Sequence, residues 1–179
     1  MFIQLYGTCL PGKDAPATQE PALAVPRTVT LTRTQVSRLL AKGSGITRQP
    51  PSARARLDMP VIAYTNPATQ TLTTTILDTP ITITATPVSY TWDWGDNTTT
   101  NTTNPGAPYP DHTVFHYYDQ PAKNLQITLT TTWKATFTTP GQDPKPVQGT
   151  ITTTNTTTPF EARAYTAVLT NQAEKTQNH

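Results

Sequence analysis

The sequence predicts a mainly β protein, an antiparallel β-sandwich with an N-terminal arm and one short α-helix. Three observations carry this. Short runs in which Ile, Val, Leu or Trp alternate with threonine recur from Val61 onward, with turn residues between them, which is the pattern of a sandwich. Charged residues make up only 13% of the chain, about half the usual share, and threonine fills much of the gap in runs such as Thr73-Thr74-Thr75 and Thr152-Thr153-Thr154. Finally, Val88, Tyr90, Trp92 and Trp94 share one parity and Ser89, Thr91 and Asp93 the other, and Gly95-Asp96-Asn97 follows at once. This reads as a strand that delivers a large aromatic into a sheet core and then turns sharply. A chain of 179 residues suits one domain of ordinary size with extensions.

Residues 1–57 read as an arm, 58–170 as the sandwich and 171–179 as a tail. Pro11, Pro16, Pro21 and Pro26 favour an extended or loosely packed start, and Val29-Thr30-Leu31 is a candidate short strand. The helix spans about 32–42. Thr32 is its N-cap, Gln35 completes a capping box, and Leu31 and Val36 form a hydrophobic staple. Val36, Leu39 and Leu40 give it an apolar stripe and Gly43 stops it; so short a helix must dock on something. Gly43–Arg56, with Pro50-Pro51, reads as a linker. Strands follow at Val61–Thr65 and Thr71–Leu77, then a turn at Asp78-Thr79-Pro80, then Ile81–Thr86 and Val88–Trp94, with Pro87 starting or bulging the latter. After a loop from Asn97 to Pro110 come Thr113–Tyr118, Leu125–Phe137, Thr150–Thr157 and Phe160–Leu169.

The run Trp92-Asp93-Trp94-Gly95-Asp96-Asn97 resembles the WDFGDG signature of the PKD (polycystic kidney disease) domain family. His116-Tyr117-Tyr118 is similar to the family's histidine-tyrosine strand, and Leu125-Gln126-Ile127-Thr128-Leu129-Thr130 to its last strand. The likeness covers residues of about 80 to 138. Asn97 stands where the family has a second glycine, and Ala122-Lys123 where a Pro-Gly turn is usual. A further likeness, through Pro105–Pro110, Ala85–Tyr90 and Thr130–Trp133, is to secreted actinobacterial proteins of unassigned role that carry a PKD domain. The resemblance implies an immunoglobulin-like sandwich, extracellular and non-catalytic, with Trp92, Gly95, Asp96, His116 and Tyr118 as its structural motif.

The net charge is +2, but bases gather before residue 60: Lys13, Arg27, Arg33, Arg38, Lys42, Arg48, Arg54 and Arg56 against Asp14, Glu20 and Asp58. They are spread out and lack interleaved aromatics, so they read as a solvated arm rather than a nucleic-acid surface. Cys9 is the single cysteine, so any disulfide pairs outside this chain. No stretch reaches the ~18 apolar residues of a membrane span. Residues 1–12 do not read as a signal peptide, so secretion or cell-surface display implies a mature or shortened form.

Among candidate sites, Asp93, Asp96 and Asn97 are oxygen ligands around one turn and could hold Ca²⁺ weakly with Asp111, or could instead cap their own turn. Trp94, Trp133 and Tyr109 could stack on a ligand such as a sugar ring, or pack under loops. His112 and His116 share a strand parity and could form half a metal site, with His179 the third histidine; no further ligand completes a transition-metal set. Asn97, Asn101 and Asn155 open N-x-Thr sequons. No nucleophile elbow, zinc-protease motif or P-loop is present. The expected function is a non-catalytic spacer or adhesion module that meets protein or glycan at the cell surface. The alternatives are a subunit of an extracellular assembly such as a pilus, sheath or virion decoration, self-assembling by strand addition, and an accessory domain of a glycan-degrading enzyme.

Overall fold

The computed structural model describes residues 30–40 and 42–165. The arm with Cys9, the end of the expected last strand and the tail lie outside them. In chain order the elements are α1 (Arg33–Leu39), β1 (Thr47–Gln49), β2 (Arg54–Arg56), β3 (Val61–Tyr64), β4 (Gln70–Ile76), β5 (Thr79–Asp93), β6 (Thr99–Thr102), β7 (Phe115–His116), β8 (Ala122–Leu125), β9 (Thr128–Thr138), β10 (Lys145–Pro146), β11 (Ile151–Thr156) and β12 (Phe160–Arg163). The described chain is thus mainly β with antiparallel pairing; the one parallel pair is β2 with β12.

Two long strands organise the larger layer. β5, of 15 residues, and β9, of 11, pair antiparallel along their lengths. On its other edge β5 pairs with β4 along its first half and with β6 along its last residues; the other edge of β9 pairs with β10 and β11. Two small sheets, β1-β3-β7 and β2-β12-β8, carry the other apolar faces. Trp92 and Leu129 of the large sheet, with Trp94 just past the end of β5, share one core with Val61 and Ala63 of β3 and Phe160 of β12, as in a two-layer sandwich.

A β-bulge keeps β5 facing that core. Ile81, Ile83 and Ala85 are buried, and then the parity switches to Tyr90, Trp92 and Trp94. Between the two sets Pro87 lies opposite Trp133 and Ser89 opposite Thr132, so Val88 is one residue extra. On β9 the buried set Leu129, Thr131, Trp133, Ala135 and Phe137 holds a single parity throughout. Without the extra residue, one half of β5 would turn its apolar set away from β9's face. Pro87, lacking an N–H for the ladder, stands where the register shifts.

The far half of this face extends past the small sheets and is covered by the helix. Leu31, Val36 and Leu40 pack with Ile83, Trp133 and Ile151 in a second core. The expected capping box is present: Thr32 Oγ1 accepts from Gln35 N, and Gln35 Oε1 accepts from Thr32 N. The loop after the helix is held by side chains of the sheet. Asn155 donates to Lys42 O and accepts from Gly45 N, Gln70 donates to Gly43 O, and Ser44 Oγ meets Thr131 Oγ1 at 2.7 Å in the interior.

Several sequence expectations are corrected. Gly43–Arg56 is not a linker: it supplies β1 and β2, three residues each, too short to show a period, with Ala55 in the core. Leu39 is 38% exposed and is not part of the docking stripe, whose third member is Leu31. The turn before β5 is Leu77-Asp78, both at positive φ as a two-residue hairpin requires, so Thr79 and Pro80 already belong to β5. Ile81–Thr86 and Val88–Trp94 are one bulged strand. Leu125–Phe137 spans two strands in different sheets: Leu125 ends β8, Gln126 and Ile127 lie outside any strand, and β9 begins at Thr128. The loop from Asn97 to Pro110 contains β6, and only Phe115–His116 of Thr113–Tyr118 is strand. Thr30 and Leu31 lie outside any strand.

Candidate functional site

Strand β5 ends on Asp93, and the chain reverses through a tight turn closed by Trp94 N donating to Thr98 O. The turn's carboxylates look inward on their own backbone. Asp93 Oδ1 accepts from Gly95 N at 2.9 Å, and Asp96 Oδ1 accepts from Thr98 N at 3.0 Å and from Thr98 Oγ1. Asp96 Oδ2 meets His116 Nε2 at 2.6 Å, with both side chains largely covered. The His116 ring stacks on Trp94, centroids 5.1 Å apart, and meets Tyr118 edge-on. Tyr118 Oη donates to Trp94 O at 2.7 Å inside the core. Burial works to raise the Asp96 carboxyl, but the hydrogen bonds from Thr98 and His116 outweigh it and hold the group below the ordinary carboxylate range. Burial drives the Tyr118 phenol far above its ordinary value, and the charge of Asp96 adds to this.

This arrangement ties a turn to a strand. Here Asp96 and Thr98 both meet Nε2, and Trp94 covers the ring face. Gly95 is fixed by two constraints: its φ of 82°, and the approach of Gln126, whose carbonyl oxygen would lie 2.6 Å from any Cβ.

Trp92 is fully buried, as expected of the motif. Trp94 and Trp133 are buried too, which corrects their reading as ligand-stacking residues. Both share parity with the core, and threonines satisfy their indole N–H groups: Trp94 Nε1 donates to Thr100 Oγ1 and Trp133 Nε1 to Thr153 Oγ1. The calcium constellation is not assembled as expected. The oxygens of Asp93 and Asp96 serve the turn and His116, and Asp111 does not join them; among the described residues no three His, Cys, Asp or Glu side chains gather as a metal-ligand group. His112 does not pair with His116: it packs between Tyr109 and Phe115.

The concavity lies elsewhere. An open cleft of about 880 Å³ is lined by Gln49–Ser52, Arg54, Arg56, Met59–Ile62, Tyr109, His112 and Tyr165. Its walls are proline, aliphatic and aromatic surface. Tyr109 is 71% exposed, and Met59 and Tyr165 are about half exposed. From Tyr109 a row of rings runs outward through His112, Phe115 and Tyr117, each within 6.0 Å of the next. Arg48 supports one wall from behind. Its guanidinium lies 4.2 Å from the Phe160 ring centre and donates to the carbonyls of Pro50 and Ser52. Burial lowers its pKa. Among the described residues no helix is long and apolar enough to cross a membrane.

Comparison of the chain with family models, with curated proteins and with solved structures gives no match in any of the three. The site is therefore read from its own geometry. Of the expected ligand-stacking residues only Tyr109 lines the cleft. Sequence reasoning missed Arg54, Met59, Phe115, Tyr117 and Tyr165. One signal was available: with His116 and Tyr118 turned inward, the period of an extended chain turns Phe115 and Tyr117 outward.

Proposed function

We propose that this chain is a non-catalytic, PKD-like interaction module of a secreted or cell-surface protein, and that it takes an extended, largely apolar polypeptide segment in the cleft beside Tyr109 and Tyr165. The observation that carries the reading is the cleft itself: a large concave apolar surface with exposed rings at its rim is where a partner gains most from burial. The motif residues Trp92, Gly95, Asp96, His116 and Tyr118 support a scaffold role, since each is engaged in packing or in holding the turn.

The wall's chemistry favours polypeptide over sugar. Several of its polar groups are already used internally: Gln49 Oε1 accepts from Tyr109 N, Ser52 Oγ donates to Arg54 O, His112 Nδ1 is held at Pro110 O, and Arg56 is paired with Asp58. A sugar carries a hydroxyl on nearly every carbon and would leave many without partners here. An extended segment rich in proline or aliphatic side chains would not, and aromatic-lined grooves are a known seat for such segments. Arg54, exposed on the same wall, favours an acidic residue in the segment.

The test is a selection. A random-peptide phage library is panned over the full chain and over a Tyr109→Ala, Tyr165→Ala double variant, and the labelled chain is applied to a glycan array. The parent is expected to enrich related apolar peptides and the double variant to lose them at an unchanged melting temperature. Glycan binding without peptide enrichment, enrichment that the double variant retains, or no binding in either format would each overturn the proposal.

A further inference from the structure

We propose that the free edge of β4 is a self-association surface, on which a second copy of this chain adds its own β4 in antiparallel register. The proposal is independent of the cleft and rests on how the sheet edges differ.

An edge strand presents unpaired N–H and C=O groups, and natural edges are blunted by shortness, charge, proline, bulges or a covering element. The other edges described here are blunted in those ways. β7 and β10 are two residues long, and β10 carries Lys145 and Pro146. β1 and β2 are three residues long and carry arginines; β6 has four. β8 contains Lys123, and Asn124 at positive φ lies where its register against β12 is irregular. β11 has six residues, but α1 packs against it and Asn155 is engaged by the loop after the helix.

Among the described residues β4 has none of these devices. It reads Gln-Thr-Leu-Thr-Thr-Thr-Ile, seven residues without charge, proline or glycine, and among the described strands it lies at the end of its sheet, paired only to β5. Thr71, Thr73 and Thr75 are exposed. Leu72 and Ile76 are only partly covered by the second core, and Leu77 beyond them is 64% exposed.

The sequence also suits pairing with itself. Centred on Thr73, an antiparallel pair sets Thr71 against Thr75, Leu72 against Thr74 and Gln70 against Ile76. Threonine–threonine and aliphatic–threonine neighbours across strands are favourable, and no like charges meet. Asp78 falls opposite Ala68, and exposed Leu77 opposite Thr69. An in-register parallel pair would instead set Asp78 beside Asp78. The antiparallel contact is isologous, so it closes at two copies and does not propagate as a filament. The large sheet of one copy would continue into that of the other.

Sedimentation of the full chain over a range of concentrations tests this. A reversible monomer–dimer equilibrium is expected, with no larger species. Thr73→Lys places ammonium groups opposite each other and should abolish the dimer, while the melting temperature of the dilute monomer stays at the parent's value. In a Cys9→Ser background, Thr73→Cys should give a disulfide-linked dimer with oxidised glutathione, and Thr71→Cys should not. A monomer at every concentration, an assembly that survives Thr73→Lys, or cross-linking through Thr71→Cys in place of Thr73→Cys would overturn the proposal.

Discussion

Trp92 and Trp94 are the largest side chains of the first core; Trp92 is fully buried and stacks near Trp94, packed with Leu129 of β9 and with residues of the small sheets. Trp92→Ala should cost about 3–5 kcal/mol, the usual loss for truncating a buried aromatic, and denaturant unfolding would read it. Asp96 offers a sharper test. Its carboxyl is held below the ordinary value near 3.9 in the folded state, so the unfolded chain binds more protons in the window between the two values. Stability from this group is therefore complete above about pH 5 and is lost as pH falls through the unfolded value and on to the folded one. Unfolding measured from neutral to acid pH should show a shallower acid loss in Asp96→Asn than in the parent. The motif residues were legible in the sequence because strand parity and a Gly-Asp-Asn turn are local signals. Trp94 and Trp133 were not, because only the folded sheet shows that Thr100 and Thr153 satisfy their indole nitrogens.

At the scale of elements, the bulge at Val88 decides the fold of the longest strand. Deleting Val88 removes the parity switch, so either Ile81, Ile83 and Ala85 or Tyr90, Trp92 and Trp94 must leave the face that β9 shares. The expected result is loss of the cooperative folding transition, whereas Val88→Ala, which keeps the residue count, should remain folded; circular dichroism melts separate the two. The helix answers differently. Thr32→Ala removes a capping-box partner and should cost about 0.5–2 kcal/mol. Leu40→Ala, in the second core, should cost about 2–5 kcal/mol. Both should leave cleft binding intact, since Leu31, Val36 and Leu40 pack in the other core. The cap was readable because its rule spans three residues. The bulge was only half readable: Pro87 marked the place, but the extra residue shows only against β9's unbroken alternation. β1 and β2 were hidden by brevity and by the prolines between them.

At the scale of the molecule, the cleft is made from stretches distant in the chain: Gln49–Ile62, Tyr109–His112 and Tyr165. No local pattern announces such a site, because each stretch alone reads as loop or short strand. What brings them together is the pairing of β1 with β3 and of β2 with β12, which sets the Pro50–Ser52 segment beside the C-terminal strand. The two-layer architecture, by contrast, was legible from alternation alone, since threonine on the wet face and Ile, Leu or Trp on the dry one is a pattern of period two. The cleft is the proposed seat of a polypeptide, and the Asp93–Thr98 turn holds the strand end that shapes the scaffold. Amide chemical-shift mapping of the full chain, titrated with a peptide recovered from the library, tests it most directly. Saturable shifts confined to Arg54–Ile62, Tyr109–His112 and Tyr165 are expected, with the turn and the β4 edge unmoved; shifts centred on Asp93–Thr98 or on β4, with the cleft unmoved, would rule out a peptide seat in the cleft.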